Sequence, residues 1–149
     1  MQQPSVRAAS WCAAQCVRRF AATRSLSHLA LDGFCSHLES LAAARSIPEW
    51  NDGSRHLEVA GLGDLLPPDL AVVSGLPQLV EAAREVSASQ VWGAWQPAEV
   101  HRFLAESALA AGLDPTLVFS RACQLQAADA QGWGPAVSEQ ELAQWSLEA

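Results

Sequence analysis

Apolar residues recur at steps of three and four along most of this chain, and clusters of Gly, Pro and Ser interrupt them at intervals. From Ser5 to about Ala22 the positions Val6, Ala9, Ala13, Cys16, Val17 and Phe20 fall on one face, which predicts a first amphipathic helix. Trp11 lies off that stripe beside Arg7 and Arg18, placed to cover a neighbouring helix or to meet a partner. A second helix is predicted from about Ser27 to Arg45, where Leu31, Phe34, Cys35, Leu38, Leu41 and Ala42 keep the helical period. Ile47-Pro48 ends that pattern, because a residue before proline avoids the α region.

The stretch from 46 to 66 is the least regular. Asn51-Asp52-Gly53 is a turn signal, and Leu57, Val59 and Leu62 alternate only partly with polar neighbours. This predicts an extended loop with room for a short pair of strands. Gly61-Leu62-Gly63 lacks the spacing of a phosphate-binding loop.

Helical periodicity then resumes. Pro67-Pro68-Asp69 starts a short helix through Val73, and a longer one begins near Pro77. Leu79, Val80, Ala83 and Val86 face inward on it, and Glu81, Arg84 and Glu85 face outward. Pro97 opens a helix with Val100, Phe103, Leu104, Ser107, Ala108 and Ala111 on one side. Asp114-Pro115 opens another that extends to about Ala130. Ser138 and Glu141 form a capping box ahead of a short terminal helix presenting Leu142 and Trp145. The fold expected is mostly α: one domain spanning 1–149, with six or seven helices of unequal length.

The composition supports a packed domain. A chain of 149 residues buries roughly 68–70 % of the surface its unfolded form exposes, enough for a core without metal or disulfide. Half of its residues are hydrophobic, and nine arginines stand against sixteen acids, for a net charge of -7. That balance argues against nucleic acid, whose backbone is bound by clustered Lys and Arg. The first 31 residues carry Arg7, Arg18, Arg19 and Arg24 and no acid. Such a start has the composition of an organellar targeting segment, but its apolar stripe suits a basic helix packed on an acidic body. No apolar run is long enough to cross a membrane. A soluble, cytoplasmic protein is expected, with Cys12, Cys16, Cys35 and Cys123 as reduced thiols.

No catalytic signature, metal site or cofactor motif emerges. Cys12 and Cys16 share a helical face and Cys35 lies two residues from His37, but neither pair repeats at zinc-site spacing. Free cysteines commonly behave as small buried hydrophobes. The unusual chemistry gathers at Ser87–Val100, where Trp92 and Trp95 flank Gly93-Ala94 between two helical patterns. Glu81 and Glu85 precede this break and His101 follows it by about one turn. The two tryptophans are either the wedge of a helix joint or the anchors of a contact surface.

Trp92, Trp95, Glu85, Glu81 and His101 are therefore the candidate partner-binding residues. The expected function is that of a small acidic protein that binds and occludes a protein partner of basic character, as an immunity or inhibitor protein neutralises a toxin. One alternative is a helical ligand-binding or enzymatic domain with a pocket near Trp92, Trp95 and His101. The other is an adaptor or subunit of a larger assembly.

Overall fold

A computed structural model describes residues 2–148. It is mostly α, with eight α-helices among the described residues, four of which pack on the first. Helix α1, Val6–Thr23, begins where the Ser5 hydroxyl accepts a hydrogen bond from the Ala8 amide at 3.0 Å. Every residue from Val6 to Ala14 is buried, because α1 packs against α2 (Leu29–Ser40), α5 (Leu76–Val91), α6 (Pro97–Ala110) and α7 (Pro115–Leu125). The single apolar stripe expected for α1 thus becomes, over Val6 to Ala14, a helix enclosed on all sides. Its alanines at 8, 9, 13 and 14 let neighbouring helices approach closely, and Trp11 is core rather than surface, with its ring edge-to-face on Trp145 at 5.9 Å.

The basic segment sits on acidic neighbours, as its composition suggested. Arg18 pairs with Asp32 at 2.7 Å and Glu39 at 2.9 Å, both on α2, and Arg19 pairs with Glu148. The hydrogen bonds that Arg18 donates to Glu39, and then to Asp32, raise its pKa further above its ordinary value. Arg7 lies inside and directs Nε to the Gly134 carbonyl and Nη1 to those of Leu41 and Ala44. It ties the start of α1 to two distant loops.

Several boundaries differ from the periodicity. Helix α2 stops at Ser40, and a single 3-10 turn, Leu41–Ala43, follows. Ile47 and Pro48 do not merely end a helix; they begin α3, Ile47–Asp52, whose first turn is capped by Ser46 accepting from the Glu49 amide at 3.3 Å. The rest of 46–66 is a 3-10 turn and an irregular loop, with no strand. Helix α4 is one turn, Pro68–Ala71. Helix α7 ends at Leu125 instead of Ala130, because residues 126–128 are drawn into extended pairing with 3–5: Ser5 N–H donates to the Gln126 carbonyl and Ala128 N–H to that of Gln3, both at 2.9 Å. Helix α8, Glu139–Leu142, has the predicted cap, with Ser138 accepting from the Glu141 amide.

Candidate functional site

Helix α5 extends to Val91, so the break between helical patterns narrows to residues 92–96. The Gln90 side chain holds this bend. It is buried, and its Oε1 accepts from the Gln96 amide at 2.7 Å, closing the chain over five residues. Gly93 has φ +92 with no neighbour within 4 Å of where a Cβ would stand, so glycine serves the turn there and not close packing.

The two tryptophans separate in role. Trp92 is 82 % exposed. Trp95 is half-buried and packed on the core, its ring lying flat against Gly132, where any Cβ would overlap Cγ, Cδ1 and Cδ2 of the indole. Its Nε1 is buried without a hydrogen-bond partner. Trp95 is the wedge of the joint, and Trp92 is the tip presented outward.

Glu81 is exposed and Glu85 half-buried on α5. Glu81 and Glu85, four residues apart, share one face of α5, and Trp92 follows the helix in extended backbone. Arg84, expected to face outward with them, is instead 1 % exposed.

His101 belongs to a different feature. Its ring meets Phe119 of α7 edge-to-face at 4.6 Å, and it lines a groove of about 770 Å³ with Pro97, Phe119, Cys123 and the Gln2-Gln3 segment. Neither tryptophan nor either carboxylate lines that groove. The five candidates therefore divide into two carboxylates on α5, an exposed Trp92 just after it, a packed Trp95, and His101 in a groove between α6 and α7.

The cysteines are all free and buried. Burial pushes the Cys16 and Cys35 thiols up to about 12, and Cys12 and Cys123 also rise above the ordinary thiol range. A nucleophilic or metal-ligating cysteine needs the thiolate, so these environments favour packing. Among the described residues no three His, Cys, Asp or Glu side chains gather as a metal site, and no helix is long and apolar enough to cross a membrane.

Periodicity gave no sign of a buried polar cluster under the 46–66 segment. The His37 ring stacks on Trp50 at 4.4 Å with an interplanar angle of 7°, and Trp50 Nε1 donates to the His37 carbonyl at 2.8 Å and to Ser40 Oγ at 3.0 Å. The Arg84 guanidinium carbon lies 5.1 Å from the Trp50 ring centroid, and its Nη2 donates to Asn51 Oδ1 at 2.7 Å. Desolvation, and then the Arg84 charge, hold the His37 imidazole down at about 4. One readable signal was the Ser46-to-Glu49 capping box, which starts the helix that carries Trp50 inward.

No protein-family model, no curated protein and no solved structure matches this chain.

Proposed function

We propose that this chain is a protein-binding module of the cytoplasm that acts by covering a partner's functional surface, in the manner of an immunity or inhibitor protein. The observation that carries the reading is Trp92, a large aromatic side chain 82 % exposed at the tip of a bend that a buried glutamine holds in place. Tryptophan, with tyrosine and arginine, is enriched at the energetic centres of protein interfaces. Glu81 and Glu85 on α5, together with the net charge of -7, favour a basic partner and steer its approach. Trp95 supports the surface from below, and His101 contributes only if the partner also reaches the α6–α7 groove.

The test is to screen the products of neighbouring genes for binding to the full chain and to repeat the measurement with variants. Trp92→Ala should weaken binding by tenfold or more with an unchanged melting temperature. Glu81→Gln with Glu85→Gln should slow association and flatten its salt dependence. Wild-type affinity in the Trp92→Ala protein would refute the reading.

A second reading rests on the groove at His101. Its volume of about 770 Å³ lies in the range of small-molecule sites, and Phe119 gives it an aromatic wall. A ligand-binding domain would hold an apolar ligand there against Phe119, with the His101 ring as the polar contact. Chemical-shift changes confined to His101 and Phe119 on screening small aromatic compounds would favour it over the partner surface.

A further inference from the structure

Arg84 stands in the middle of α5 and is 1 % exposed. A guanidinium does not give up its proton in a protein, so this charge is carried into the interior, where it requires matching donors' partners and charge. Desolvation lowers its pKa, and only the field of neighbouring Glu85 acts in the opposite direction.

Arg7 shows how the same chain accommodates a buried arginine that acts as a clamp. Its Nε and Nη1 donate to three backbone carbonyls. Arg84 is treated differently. Its Nη2 reaches Asn51, while Nε and Nη1 are fully buried with no partner. Among the described residues no carboxylate forms an ion pair with it. Asp64, an acid of the segment that covers this region, is engaged by the amides of Ala60 and Leu62 at 3.2 and 3.0 Å.

The segment 57–66 packs on the base of the Arg84 side chain. Gly61, at φ +75, comes so close that a Cβ would stand 2.7 Å from Arg84 Cβ, 3.0 Å from the Val80 carbonyl oxygen and 3.2 Å from the Phe34 ring. Val59 anchors the segment in the core. Gly61 is also buried and Leu66 packs on the core, but the two Asp64 hydrogen bonds only close a turn within the segment, and Leu65 stands out at 95 % exposure. Segments with few buried contacts and few backbone hydrogen bonds are those that open locally.

We propose that Arg84 is the centre of an internal binding site for a small oxyanion, a carboxylate or inorganic phosphate, entered by displacement of residues 57–66. The planar guanidinium presents paired donors that match both anions. Asn51 orients the fork from one side, and Trp50 provides an apolar wall. The anion supplies at once the charge and the acceptors that Arg84 lacks.

The experiment follows the Arg84 Nε–H resonance of the full chain by NMR during separate titrations with sodium acetate and sodium phosphate. Ionic strength is held constant with sodium fluoride, whose strongly hydrated anion resists burial. A saturable shift of that resonance, with a parallel rise in melting temperature, is expected for at least one of the two. Saturation by acetate alone assigns a carboxylate site, and saturation by phosphate alone a phosphate site. Arg84→Met should abolish the anion-dependent rise in melting temperature, and Arg84→Lys, which keeps the charge but loses the fork, should weaken it tenfold or more. A wild-type Nε–H resonance unmoved by both salts overturns the proposal whether or not the variants fold. The same anion-dependent stabilisation in Arg84→Met overturns it as well.

Discussion

Gly132→Ala tests how the Trp92–Gln96 bend is fixed. Two separate penalties apply. Gly132 has φ +90, a conformation that costs an L-residue about 1–2 kcal/mol relative to glycine. The new methyl would also occupy the space of the Trp95 ring. Relief by backbone movement is restricted, because the Gly132 carbonyl accepts from Val6 N–H at 2.9 Å and its amide donates to Asp129 Oδ1 at 2.9 Å. The ring must move instead, and overpacking of this kind costs about 1–3 kcal/mol. The total is about 2–5 kcal/mol, a large share of the roughly 5–15 kcal/mol that holds a domain folded. It corresponds to a fall of roughly 4–20 °C in melting temperature. Urea denaturation followed by tryptophan fluorescence measures it, and a cycle with Trp95→Ala separates the two contributions. With the ring removed, only the backbone penalty of about 1–2 kcal/mol should remain. An equal cost in both backgrounds, or a cost below about 0.5 kcal/mol in the wild type, would refute the view that Trp95 is wedged against Gly132.

Stability should also depend on acidity through His37. Its folded pKa, about 4, lies below the ordinary 6.5, so the unfolded chain binds more protons between these values and stability falls as pH drops through that window. The loss is at most about 3 kcal/mol, reduced by the partial exposure of the ring. His37→Phe, which keeps the stack on Trp50, should flatten this part of a pH-dependent urea melt, and an unchanged slope would exclude His37 as its source. Ser5→Ala removes the acceptor at the start of α1 and should lower stability by about 0.5–2 kcal/mol in the same assay. All four thiols should resist alkylation at neutral pH in the folded protein and react on addition of denaturant; rapid labelling of the native chain would contradict their burial.

The five helices longer than ten residues were legible because each presents a periodic apolar face, and three of their starts carry readable caps or prolines at Pro77, Pro97 and Asp114-Pro115. The one-turn helices α4 and α8 were legible from the same turn chemistry, without any periodicity. What periodicity could not convey was enclosure. Alanine reads as a weak hydrophobe in a stripe, yet in α1 it fills the gaps left by four surrounding helices, so Trp11 and Arg7 are inside although they fall off the stripe. The end of α7 was misplaced for a related reason. Residues 126–128 are compatible with helix locally, and only hydrogen bonds to residues 3–5, more than a hundred positions away, draw them into extended form.

The candidate site divides along the same line. Sequence by itself singled out Ser87–Val100, the break in helical pattern and its pair of tryptophans, because breakers and aromatic residues are local properties. Which tryptophan packs inward depends on Gly132, whose missing side chain makes room for the Trp95 ring. Only the tertiary structure decided that Trp92 faces outward, that His101 belongs to another groove and that Arg84 lies inside. Burial is set by what the rest of the chain brings alongside a residue, and helical spacing records a direction without recording what stands there.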